Sequence, residues 1–173
     1  MSMAHALRWP RALCRADVLL ALAILVAGFT FGARYARGDG NAPQGVNAFY
    51  LRHALGVACG KGTQAPLGNK AVDLFLNRKT DALAPADLSA DTAWEPIAPF
   101  AKTHLYLVYC CGWLWRWRGI SWDALAPLFG ALYALTCLAA YGVFRLGLRP
   151  LYAAAGTLLF ALCPLHLTIV PHL

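Results

Sequence analysis

VLLALAILVAGFTFGA, residues 18–33, contains no charged side chain and no interruption of its apolar character. With its flanks, a helix rising about 1.5 Å per residue over this stretch reaches across a hydrocarbon core of roughly 30 Å. Residues 1–17 form a leader that carries Arg8, Arg11 and Arg15. Such a leader has the outline of a signal peptide, and the small residues after Phe31 mimic a cleavage site. Three later apolar runs make an uncleaved first span the better reading. Positive charge beside a first span stays on the cytoplasmic side, which places the N-terminus inside and the segment after the span outside.

Working outward, the composition agrees with a membrane protein. Of 173 residues, 60% are hydrophobic and 13% charged, with mean hydropathy +0.52, which is outside the range of an ordinary soluble domain. The net charge of +7 comes from Lys and Arg scattered around apolar runs. That distribution suits anionic headgroups of a lipid bilayer and argues for no nucleic acid partner. Among the six cysteines, Cys110, Cys111, Cys137 and Cys163 lie in apolar runs and Cys14 precedes one. Cys59 alone lies in the long loop, so no disulfide closes within it.

Residues 34–99 are the long polar-containing segment and hold six of the eight acidic residues: Asp39, Asp73, Asp81, Asp87, Asp91 and Glu95. Gly38-Asp39-Gly40-Asn41, followed by Pro43 and Gly45, is turn chemistry. From Val46 to Val57 the residues Val46, Phe49, Tyr50, His53 and Val57 fall at helical spacing, which suits a helix on the membrane surface with Phe49 and Tyr50 toward lipid or the span bundle. A second amphipathic segment, Asn69 to Arg78, puts Val72, Phe75 and Leu76 on one face with Asn69 as cap. Pro85, Pro96 and Pro99 then forbid one long helix.

Residues 100–173 carry three more runs. The run 100–118 is rich in Tyr and Trp and closed by Arg116 and Arg118, the mark of a membrane interface. The runs 124–145 and 151–170 follow after short links, which makes the three antiparallel neighbours. The expected fold is all-α, a polytopic helical membrane protein with four transmembrane helices and a long external loop carrying short surface helices. In that alternation Arg116 and Arg118 fall inside, while Arg145 and Arg149 fall outside, against the positive-inside bias. The fourth run ends on Val170-Pro171-His172-Leu173 without a basic stop, the pattern of a chain whose remainder is longer.

The order of parts carries a resemblance: one span, a long external loop, and closely spaced spans linked by the Gly119 and Ser121 turn. To these are added the Ala/Leu/Gly-rich run ending in Arg145-Leu-Gly and a last run closing on Cys163-Pro164-Leu165-His166. It resembles the N-terminal part of GT-C class integral membrane glycosyltransferases, in particular the family of protein mannosyltransferases and lipid A aminoarabinose transferases. The resemblance implies a sugar donor linked to a polyprenyl phosphate and an acidic residue of the first external loop. That residue acts as general base for the acceptor or binds a divalent metal. The nearest position here is Asp39, followed by Gly40. The family's loop tyrosine corresponds most closely to Phe49 or Tyr50. The implied location is a bacterial inner (plasma) membrane.

A carboxylate at the water interface can take the proton of a hydroxyl or amine as that group attacks an anomeric carbon. Arg34, Arg37 and Arg52 lie where a phosphate headgroup could be held, a task suited to the guanidinium fork. The alternative for each is anchoring a helix end to lipid phosphate. His104, beside Lys102 and Tyr106, is a further candidate for substrate binding, with interfacial placement as its alternative. His53, His166 and His172 are weaker candidates, and Trp113, Trp115, Trp117 and Trp122 read as interface anchors. No zinc-spaced Cys and His set, phosphate loop or GxSxG elbow occurs, and no cofactor follows from the residues. Against the transferase stands a reading of another class, a non-catalytic membrane assembly subunit or transporter fragment. Paired broken spans, the usual transporter sign, are not visible.

Overall fold

A computed structural model describes residues 15–37, 46–88 and 92–163. The charge-free run forms α1 (Arg15–Arg37), with Asp17 in its first turn and Arg34 and Arg37 in its last, signs that complement the helix dipole. The run 124–145 lies in α5 (Trp122–Arg145), whose start is capped by the Ser121 side chain accepting from the Ala124 N–H. These two helices are the ones among the described residues long and apolar enough to cross a membrane. They pack along one seam of small residues. A Cβ built on Gly28 would lie 3.0 Å from Ala134 Cα, and one on Gly130 would lie 2.9 Å from the Phe29 carbonyl oxygen. Such close backbone approach is how helices associate where lipid removes the hydrophobic driving force.

The ends of the seam fix its direction. At one end buried Asp17 accepts from the Tyr141 hydroxyl at 2.8 Å and from both Nε and Nη2 of Arg145. At the other, Arg37 Nε pairs with Asp123 at 3.1 Å. The two helices are therefore antiparallel, whereas four alternating spans would set them parallel. α6 (Pro150–Ala161) starts with proline at a position that needs no N–H donor and folds back along α5, where the Tyr133 hydroxyl donates to the Ala161 carbonyl.

The expectation of helices throughout holds, with one exception: β1 (Ala65–Pro66) pairs antiparallel with β2 (Trp94–Glu95). The four expected spans are met as long apolar helices in two runs. Within 100–118 the chain forms a 3₁₀ segment, Pro99–His104, and then α4 (Leu105–Arg118), whose 14 residues rise only about 21 Å. Of the run 151–170, the described helix ends at Ala161, and residues 164–173 lie outside the described residues.

The polar segment folds into a helical layer with its own core. α2 (Val46–Ala58) and α3 (Lys70–Leu76) occur where the periodicity places them, and Asn69 caps α3 by accepting from the N–H groups of Ala71 and Val72. α3 stops short of Arg78, whose φ of 53° is left-handed. Of the face of α2 expected to turn toward lipid or the span bundle, Tyr50 is buried, and with Leu51, Ala54 and Leu55 it packs in a core with Phe75, Trp115 and other residues of α3, α4 and α5. α2 and α4 run parallel, since Tyr50 near the start of one meets His104 before the other, and Val57 near the end meets Gly112. A side chain at 112 would overlap Val57, so glycine there lets the helices touch.

The layer is tied to the same end of both long helices. Arg78 donates to the Ala36 carbonyl at the end of α1 and lies 4.2 Å over the Trp122 ring at the start of α5. Trp122 Nε1 donates to the Phe75 carbonyl, and Leu83 N–H donates to the Ile120 carbonyl beside the Ala82–Ser121 bridge. Sequence positions far apart thus converge on one platform.

Candidate functional site

The 3₁₀ segment before α4 sets His104 on the start of α2. Its ring lies 4.5 Å from that of Tyr50, with Phe100 stacked on Tyr50 at 5.9 Å and Tyr106 6.0 Å from His104. Thr103 Oγ1 is 2.7 Å from both the Phe100 carbonyl oxygen and His104 Nδ1. Its single proton goes to the carbonyl, so Nδ1 donates to Oγ1 and Nε2 is left as the open position of the neutral ring. The Tyr50 hydroxyl is buried with no hydrogen-bond partner among the described residues. Leaving such a group unpaired costs about 1–3 kcal/mol.

The other expected site residues are not gathered here. Arg34 is exposed in the last turn of α1, and Arg37 in the same turn is paired with Asp123. Arg52 points to the opposite side of α2, where Nη2 meets Asp73 Oδ1 at 2.5 Å and Nη1 donates to the Pro66 carbonyl, bracing α3 and β1. Asp39 falls in residues 38–45, which lie outside the described residues, as do His166 and His172 in 164–173. His53 is buried in the layer, its Nδ1–H donating to the Thr63 carbonyl, and burial pushes its pKa down. No group of three or more potential metal-ligating side chains occurs among the described residues.

A second feature lies at the far end of α4. Because α2 and α4 are parallel, their last turns meet, and with the Gly119–Ser121 turn, Leu83 and Trp94 they enclose a cleft of about 650 Å³. Its charged lining residues are Lys61, Arg116 and Arg118. Sequence spacing gave no hint of it, since Lys61 is far from the arginines in the chain and joins them only through the helix pairing. The Asp17–Tyr141–Arg145 cluster was likewise missed. Its signal is a lone acid and a lone arginine at the edges of two separate apolar runs, which can be matched only once those runs are known to be antiparallel.

No known family model, characterised protein or solved structure matches the chain.

Proposed function

We propose that this chain is the membrane-anchored, donor-binding part of a glycosyltransferase that takes sugar from a polyprenyl-phosphate-linked donor on the external membrane face. The observation that supports it most is the group around His104, where an unpartnered buried hydroxyl and an open ring nitrogen share an aromatic setting. Aromatic faces and a few placed polar atoms are what a sugar-binding pocket requires. In this reading α1 and α5 cross a bacterial inner membrane, with α6 beside them and a cytoplasmic N-terminus. The α2–α4 layer then sits outside, and the exposed Tyr106, Tyr109, Trp113 and Trp117, on one face of α4, seat in the interface. Arg145 and Arg149 come to the cytoplasmic side with the basic leader, in accord with the positive-inside bias, while Arg116 and Arg118 move outside with the layer.

The chemistry divides among few residues. Asp39, two positions beyond the end of α1, takes the acceptor proton while the acceptor oxygen or nitrogen bonds to the anomeric carbon. The bond from that carbon to the phosphate oxygen breaks, and the polyprenyl phosphate leaves with its electrons. Arg34, exposed and outside every ion pair among the described residues, faces the phosphate. His104 and Tyr50 hold the sugar hydroxyls.

One observation favours the packing-only reading of an assembly subunit: Arg37 and Arg52 are already engaged by Asp123 and Asp73. Titration of a polyprenyl-phosphate sugar into nanodiscs carrying the purified chain separates the two. The transferase reading expects saturable binding that weakens about tenfold in His104→Ala, the loss of one or two good hydrogen bonds. It also expects Asp39→Asn to bind donor while abolishing any transfer. Non-saturating partition, equal in both forms, leaves the assembly subunit standing.

A further inference from the structure

We infer that the cleft between the last turns of α2 and α4 is a binding site for a dianionic phosphate monoester, held by Lys61, Arg116 and Arg118. This site is independent of the transferase reading, since it lies at the opposite end of α4 from His104, about 20 Å along the helix.

Charge decides the class of ligand. The three cations are drawn from two separate stretches of chain and face one volume of about 650 Å³. No carboxylate among the described residues forms an ion pair with any of them. A common role for cations in a last helical turn is to complement the dipole. Each helix C-terminus, however, carries only about half a negative charge, and the start of α5 at the same turn contributes about half a positive one. The backbone dipoles therefore offset only about half of one of the three positive charges. A carboxylate or phosphodiester would leave more than one of these unmatched, whereas a phosphomonoester brings about −1.5 to −2 at neutral pH.

Geometry supports the same ligand. Arg116 and Arg118 stand on a helix end whose position is fixed: Trp115 Nε1 donates to the Ser121 carbonyl at 2.8 Å, and Leu83 N–H binds the Ile120 carbonyl. The frame sets where the two arginines start, and guanidinium forks match phosphate oxygens two at a time. The Arg116 guanidinium lies 5.7 Å from the Trp113 ring. Trp94 and Trp115 supply an apolar wall for the carbon part of the ester.

The phosphate could belong to a lipid headgroup or to a water-soluble ester, and the experiment separates these. Calorimetric titration of the full chain in neutral-lipid nanodiscs with glycerol 3-phosphate is compared with tryptophan fluorescence in nanodiscs containing increasing phosphatidic acid. Saturable binding in either arm, weakened about tenfold by Arg118→Gln and by Lys61→Gln, is expected, the loss of one charge-assisted contact each. The arm that saturates names the source. Lys61 lies in a loop, so its variant remains informative if Arg118→Gln disturbs the helix end, which circular dichroism would report. No saturable binding in either arm, or binding indifferent to both substitutions, overturns the inference. So does binding that emerges only in Asp91→Asn, because Asp91, in the stretch after Leu88, would then be the partner of these cations.

Discussion

The seam between α1 and α5 and the core of the α2–α4 layer solve the same packing problem in opposite ways. The seam uses glycine and alanine, so that backbones meet and the large side chains, Leu19, Leu22, Val26 and Leu135 among them, point outward. The layer instead buries its large side chains: Phe75 is stacked 5.1 Å from Trp122 and set edge-on to Trp115. Water drives the second arrangement, because every aromatic ring removed from it gains free energy. In the first the large side chains stay exposed, and close backbone contact and internal polar pairs hold the helices together. One chain thus carries two kinds of packing, with Trp122 at their meeting point.

The largest expected effect breaks the layer alone. Phe75→Ala opens a cavity beside Trp115 and Trp122 and costs about 3–5 kcal/mol, a value typical for a fully buried aromatic. Near-ultraviolet circular dichroism and protease cutting between Cys59 and Leu83 should report a melted layer while far-ultraviolet helicity of the long pair persists. If both regions melt together, the two cores are one cooperative unit and the comparison fails.

Much of this division was legible in the sequence, and the illegible part has a physical cause. Residues 18–33 and 124–145 announce long apolar helices by composition, and the cap at Asn69 announces α3. The run 100–118 is harder to read, because a 14-residue helix with Leu107, Val108 and Trp115 buried on one side and Tyr106, Trp113 and Trp117 exposed on the other has the same composition as a span. Only its partner, α2, decides the matter, and that pairing is non-local. At the candidate site His104 was legible as a polar residue at a run's edge, but its stacking on Tyr50 depends on the parallel register of α2 and α4. Arg52 and Asp73 fall on two separate short helices, so their ion pair could not be read from helical spacing.

A smaller effect sharpens the other side of the comparison. Gly32→Ala places a Cβ 2.7 Å from Tyr133 Cβ, an overlap that the fixed stem of the ring cannot relieve, and costs about 1–3 kcal/mol. The thermal midpoint of the chain in nanodiscs should fall while the protease resistance of the layer stays as in the unsubstituted protein. An unchanged midpoint would mean that the seam is looser than its backbone contacts imply.

The smallest effect is a pH dependence confined to the layer. Burial lowers the His53 pKa in the folded protein, so the unfolded chain takes up the proton first. Stability from this residue is fully present above the unfolded value of about 6.5 and declines as pH falls below it. The layer's melting temperature should drop by a few degrees on acidification through that range. His53→Gln should flatten the dependence, and a curve unchanged by that substitution assigns it to another group.

The account depends most on the antiparallel crossing of α1 and α5 with the layer and both ends of α4 on one side. Single cysteines at Arg118 and at Leu148, in a chain otherwise free of cysteine, test this in intact cells with a membrane-impermeant maleimide. The account expects Arg118→Cys to be labelled from outside and Leu148→Cys to be labelled only after the membrane is opened. Four alternating spans reverse both results, and that outcome would contradict the account.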